Sequence, residues 1–248
     1  MFWSLGVIGV AGLVAPYIFN RENENGNRLW WFAEGFYLPI DFRDVGASLN
    51  ECASPGRALF SEGIFTRSNR YFSGHSCDRI GNPDVIYTLS YDPWQRWEYY
   101  CAKQNGKVKV GRYANDFFEI DNIERMSNWE NPEFSGVMCG ELNSMIDNIA
   151  ENKRIHIHCN RGRDRTGAAV AILIKLFSDD RLLPSDYANQ LAECDYEKTA
   201  SIHDEHRGHI LRFLRRDFRR AGGSENFINR CDIDRVRLSA AAKNFIPF

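Results

Sequence analysis

The chain has 248 residues, 44% of them hydrophobic, and a formal net charge of −2. That length and composition fit one core domain with decoration, and the near-neutral charge argues against a nucleic-acid or general polyanion binder. Seven cysteines at irregular spacing match neither a disulfide framework nor a zinc pattern, so they read as thiols of a reducing compartment.

Phe2 to Phe19 hold no charged residue. As a helix they would reach about 27 Å, close to the ~30 Å hydrocarbon core of a bilayer. Gly6, Gly9, Gly12 and Pro16 weaken a soluble helix but are tolerated in membranes. Residues 1–19 are therefore expected to form a single-pass membrane anchor. Arg21 and Arg28 after it put the downstream domain in the cytoplasm. A cleaved signal peptide, and hence export, is the alternative. Residues 20–28 read as a polar linker, and residues 29–248 as the folded domain. No Asn-x-Ser/Thr acceptor occurs.

Trp30 to Asp41 is aromatic and partly extended. Strand-like runs lie within residues 57–67 and 84–90, and 107–113 alternates like a strand. Pro93 to Gln104 reads as a short helix. Asn131 followed by Pro132 is a helix start, and Phe134, Met138, Leu142, Met145 and Ile149 then recur at helical spacing. A strand over Arg154–Ile157 precedes a helix over Ala168–Phe177, with further helices near 185–194 and 204–220. Strands alternating with helices imply an α/β fold, a mostly parallel central sheet flanked by helices. Active loops in such sheets sit at the carboxyl ends of strands.

Cys159 falls in that position, within His158-Cys159-Asn160-Arg161-Gly162-Arg163-Asp164-Arg165-Thr166-Gly167. Cysteine attacks as the thiolate, and a helix N-terminus with cationic neighbours favours that form. The free N–H groups of the Asn160–Gly167 loop make a nest suited to phosphate. Arg165 can fold back and grip two phosphate oxygens with its planar fork. Gly162 permits the positive φ of a tight loop, Thr166 brings a hydroxyl towards the sulfur, and Gly167 lets the helix start close to the loop. The other cysteines, Cys52, Cys77, Cys101, Cys139, Cys194 and Cys231, read as inert core residues. A rhodanese-type sulfurtransferase loop lacks the Arg-Thr-Gly closure.

The loop resembles the signature of the cysteine-dependent protein tyrosine and dual-specificity phosphatases, matching at His158, Cys159, Gly162, Arg165, Thr166 and Gly167. Its Asp-Arg-Thr-Gly ending is similar to a subgroup that includes phosphoinositide and inositol-phosphate phosphatases. Asp41-Phe42-Arg43-Asp44-Val45-Gly46 resembles the subgroup's opening "NFRDLGG", with Asp for Asn and Ala47 for the second glycine. Gly63-Ile64-Phe65-Thr66-Arg67-Ser68 resembles its "G-x-x-x-R-S" element. The resemblance implies a phosphate monoester hydrolase working through a phosphocysteine on phosphotyrosine or phosphoprotein, without metal or other cofactor. Phosphoinositide or inositol-phosphate hydrolysis is the alternative, and a non-catalytic phospho-binding module is another. The resemblance also gives His158 the role of a buried hydrogen-bond partner of the loop. It offers two placements for the proton donor: Asp164 inside the loop, or a mobile loop holding Asp116, with Asp121 behind it.

Arg161, Arg163 and Arg165 against Asp164 leave the loop a local charge near +2 by counting. Extra cations suit a densely charged inositol phosphate, while phosphotyrosine needs one arginine. His203, His206 and His209 suggest a metal comb, but on one helix they would fan over several faces, so they read as surface or capping histidines. Arg212, Arg215, Arg216, Arg219 and Arg220 accompany an apolar stripe of Leu211, Leu214 and Phe218, as on a core helix with a solvated arginine face.

Overall fold

The computed structural model of the chain describes residues 42–53, 58–68, 80–89, 109–110, 123–159, 162–199 and 202–248. The expected anchor, the linker, the Trp30–Asp41 stretch and the Pro93–Gln104 helix lie outside these residues. Elements follow in chain order as β1 (Arg43–Asp44), α1 (Val45–Cys52), β2 (Phe65–Ser68), β3 (Val85–Thr88) and β4 (Lys109–Val110). After a 3-10 turn (Met126–Glu130) come α2 (Pro132–Ala150), β5 (Ile155–His158), α3 (Asp164–Asp180) and α4 (Ser185–Glu197). A second 3-10 turn (Asp204–His206) leads to α5 (His209–Arg212), a π-helical turn (Phe213–Phe218), α6 (Gly223–Arg230) and α7 (Arg235–Phe245).

The strands form one sheet in the order β1-β2-β5-β3-β4. β2 and β3 both run parallel to β5, β4 runs parallel to β3, and only the edge strand β1 is antiparallel. This is the expected α/β architecture. It puts β5 in the middle, with the chain leaving its carboxyl end directly into Cys159.

Local chemistry explains the helices that hold this sheet. The Asn131 side chain caps α2 by accepting from the N–H groups of Glu133 and Phe134, and Pro132 occupies the first turn. The predicted stripe of Phe134, Met138, Leu142, Met145 and Ile149 is buried, a contribution on the order of 10 kcal/mol against the exposed chain. Helix α3 is buried continuously from Thr166 to Ser178. A helix covered all round is central to a core rather than laid on its surface. Helix α7 closes the core, its Phe245 ring meeting Phe60, Phe65 and Phe177 at centroid distances of 5.6, 6.0 and 5.9 Å.

The strand-like run within 57–67 holds the strand Phe65–Ser68. Two expectations need correction. The helix expected over 204–220 is broken, because Gly208 takes a left-handed φ of 71° between the 3-10 turn and α5. The cysteines are not all thiols: Cys52 pairs with Cys194 and Cys139 with Cys231, at sequence separations of 142 and 92. Partners so far apart leave no spacing pattern, since tertiary packing alone brings them together. The first disulfide ties α1 to α4, and the second ties α2 to the turn after α6. Among the described residues no helix is long and apolar enough to cross a membrane.

Candidate active site

Strand β5 is buried along its length, and Cys159 beyond it is only 3% exposed. Among the described residues it is the one free cysteine. Gly162 takes φ 66°, the left-handed region that a side chain disfavours. Helix α3 then starts at Asp164 with no described side chain capping it. Its first-turn N–H groups have no intrahelical partners, an arrangement that suits an anion. Gly167 has a packing reason of its own. A Cβ there would lie 2.6 Å from the Tyr196 ring, so the glycine lets α4 press against the start of α3.

Beneath the loop lies a buried ionic network. The Arg67 guanidinium donates to the Gly162 carbonyl at 2.5 Å and to Asp195 Oδ2 at 2.5 Å. Arg43 donates through Nε to Asp195 Oδ1 at 2.8 Å, and also to the Asp195 carbonyl and the Thr199 hydroxyl. Arg67 and Asp195 are fully buried. Burial and the neighbouring Arg43 charge push Arg67 down to about 10, against the pull of Asp195 and Cys159. Burial would raise Asp195, but the two arginines outweigh it and hold the carboxyl well below the usual range. Among the described residues two guanidinium groups face this one carboxylate, and the Cys159 charge acts on Arg67. The arginines of the two upstream motifs, far apart in sequence, thus meet on one carboxylate, and Arg67 carries that anchor to the Gly162 carbonyl.

Asp164 sits at the rim. Arg163, 5% exposed, forks onto it with Nε to Oδ1 at 2.9 Å and a terminal nitrogen to Oδ2 at 3.1 Å. The Tyr196 hydroxyl donates to Oδ1 at 3.1 Å and lies 3.4 Å from His209 Nδ1. His209 Nε2 pairs with buried Glu124 at 3.0 Å. Burial acts to raise Asp164, but Arg163 and Tyr196 prevail and hold it below the ordinary carboxylate range. Its hydrogen bond to Glu124 pushes His209 up. Burial, then the Asp164 charge, pushes Tyr196 well up.

Arg165 lies half-buried on the first turn of α3. The Thr166 hydroxyl is buried and bonds no described group, which suits a partner that arrives with chemistry. His156 and His158 share a face of β5, their rings stacked 5.9 Å apart. Both nitrogens of His156 are taken, Nδ1 by the Thr66 hydroxyl at 2.9 Å and Nε2 by Ser68 at 3.0 Å. Burial lowers this histidine to about 3, so it is a neutral core group with both ring nitrogens bonded. Asn160, Arg161, Asp116 and Asp121 lie outside the described residues. Sequence reasoning missed Asp195, Tyr196, Glu124 and the supporting role of Arg43. Asp195 did leave a trace, since it follows Ala188, Leu191 and Ala192 at helical spacing on the buried stripe of α4.

Among the described residues the geometry is a central strand, a helix N-terminus without a side-chain cap, and one free sulfur between them. Comparison with family models gives a match to the tyrosine phosphatase family over residues 132–231. That segment runs from the start of α2 to Cys231 and includes the whole Cys159 loop. Comparison with curated proteins gives no match.

Proposed function

We propose, for a chain whose residues 132–231 match the tyrosine phosphatase family, hydrolysis of phosphotyrosine or another phosphoprotein monoester through a phosphocysteine at Cys159. The observation that carries this reading is Cys159 itself: reduced, buried, and set at the end of the central strand before a helix N-terminus that no described side chain caps.

In this reading the Cys159 thiolate attacks phosphorus, forming the S–P bond as the ester P–O bond breaks. The loop amides of Asn160–Gly167 and the Arg165 fork hold the phosphoryl oxygens as charge develops. The buried Arg67 and Arg163 support the anionic sulfur; its charge in turn acts to raise both guanidinium groups. A proton passes to the leaving oxygen from a general acid. Asp164 is a poor donor while Arg163 and Tyr196 hold it ionised, so we assign the role to Asp116, with Asp121 next. Water then attacks phosphorus, inorganic phosphate leaves, and the thiolate is restored with help from the Thr166 hydroxyl.

The substrate reading favours phosphotyrosine because Arg163, counted in the sequence as a cation for a crowded substrate, is committed to Asp164. Phosphoinositide or inositol-phosphate hydrolysis is the second reading, resting on Arg161 and on the expected membrane segment. The two disulfides support an oxidising compartment, in line with export rather than a cytoplasmic domain. Pairing those cysteines also removes exchange partners for Cys159.

A substrate panel tests this. With p-nitrophenyl phosphate, activity is expected in the unaltered chain and lost in Cys159→Ser. A phosphotyrosine peptide is expected to exceed inositol phosphates at least tenfold in kcat/KM. The reverse order overturns the substrate class. A tightly bound but uncleaved phosphopeptide on the unaltered chain supports a non-catalytic module instead.

A further inference from the structure

Three histidines at three-residue spacing would diverge on a regular helix, and the chain avoids that helix. The 3-10 turn ends at His206, Gly208 reverses the backbone, and α5 restarts at His209. The His206 and His209 rings lie at a centroid separation of 6.1 Å, the same as His203 and His206, but it is the former pair that has Asp164 beside it. One ligand atom from each of Asp164, His206 and His209 lies within 4.8 Å of the others. We propose that Asp164, His206 and His209 form a binding site for a divalent transition-metal ion of the zinc class at the rim of the phosphate loop. The site goes beyond the hydrolytic reading and does not depend on which phosphoester is cleaved.

The donor set is two imidazoles and a carboxylate with a fourth position open, which suits zinc among the common divalent ions. Tetrahedral bonds of about 2.0–2.1 Å place ligand atoms roughly 3.4 Å apart. The side chains must therefore close by no more than about 1.5 Å, within reach of modest rotations. All three are half-exposed, so an ion can enter from solvent.

The groups behind the ligands are what turn proximity into a site. His209 faces buried Glu124 with Nε2, at 3.0 Å. With its proton on Nε2, the ring turns Nδ1 towards the Tyr196 hydroxyl and the Asp164 side. A carboxylate bonded to the far nitrogen of an imidazole is the arrangement that orients metal-binding histidines and raises their basicity. Asp164 is oriented in the same way by Arg163 and Tyr196. Those three bonds leave one of the roughly four carboxylate lone pairs for an ion. With neutral imidazoles, the carboxylates acting on these histidines, Asp164, Glu124 and Glu205, face the guanidinium groups of Arg163 and Arg212. An ion there ties the segment carrying His206 and His209 to the first residue of α3, next to Arg165.

The test uses the full chain carrying Cys159→Ser, which removes the competing thiolate. Zinc chloride is titrated against a chromophoric chelator, with thermal unfolding in parallel. The expected result is one bound equivalent and a raised Tm. His206→Ala and His209→Ala should each weaken binding at least tenfold, while His203→Ala changes it less than about twofold. His206 lies outside the core, so its variant isolates the ligand effect if His209→Ala fails to fold. No bound zinc, or binding untouched by His206→Ala, overturns the proposal. So does a loss on His203→Ala that equals the loss on His206→Ala. None of these outcomes bears on hydrolysis, which the unaltered chain reports separately.

Discussion

Asp195→Asn is the sharpest test of how the phosphate loop is supported. The substitution keeps volume but removes the one negative charge between Arg43 and Arg67, at a position with no solvent exposure. Removing one member of a buried ion pair costs about 3–5 kcal/mol, because the charge left behind cannot be hydrated. In a domain of this size each kcal/mol shifts Tm by about 2–4 °C, so a fall of roughly 6–20 °C is expected. Arg67 also bonds the Gly162 carbonyl, and losing its anchor lets the loop drift. A displacement of about 1 Å at a reacting centre costs on the order of 100-fold in rate. Differential scanning fluorimetry and p-nitrophenyl phosphate turnover measure the two effects side by side. The combined Arg43→Met, Arg67→Met and Asp195→Leu variant separates them. An apolar replacement of a buried network restores much of the stability, yet the loop still lacks its donor and turnover stays low. Full activity in that triple variant, or a Tm within about 2 °C of the parent in Asp195→Asn, refutes the reasoning.

Reduction of the two disulfides is expected to destabilise the fold by about 2–5 kcal/mol each, given the long loops they close; non-reducing peptide mapping should recover Cys52 with Cys194 and Cys139 with Cys231. Gly167→Ala should lower Tm and activity together, since the new Cβ meets the Tyr196 ring at 2.6 Å; an unchanged Tm would show that α4 yields freely. His156 should make the protein acid-sensitive. Its native pKa is depressed to about 3, so below the unfolded value near 6.5 the unfolded chain takes up a proton that the native state refuses. Stability then falls by about 3 kcal/mol as pH drops to 4, and His156→Gln flattens that slope in urea titrations. His209 acts in the opposite sense. Its pKa is raised by Glu124, so its contribution is complete below about 6.5 and is lost as pH rises through the native value; His209→Gln should abolish that alkaline decline.

The strands around Cys159 and the α2 stripe were legible because local periodicity and capping chemistry write them directly into the sequence. The decapeptide stood out because a cysteine, a glycine and a forked cation at fixed spacing suit one chemistry. What could not be read was everything made by distant partners. Arg43 and Arg67 stood out only as pieces of short motifs, and nothing in the sequence said that Asp195 joined them. The disulfides failed for the same reason. Their cysteines look like scattered thiols until α1 is laid on α4 and α2 against the turn after α6. The break at Gly208 was missed because the arginine run and the apolar stripe both suggested an uninterrupted helix. The left-handed glycine that splits it decides where His206 and His209 point.

The central claim is that Cys159 carries the phosphoryl group between substrate and water. Rapid acid quench of the unaltered chain during p-nitrophenyl phosphate turnover, followed by peptide mass spectrometry, tests it most directly. The account predicts one phosphoryl group on the peptide containing Cys159, formed fast enough to lie on the pathway and absent from Cys159→Ser. Turnover in Cys159→Ser, or turnover in the parent with no adduct on that peptide under any quench, would contradict it.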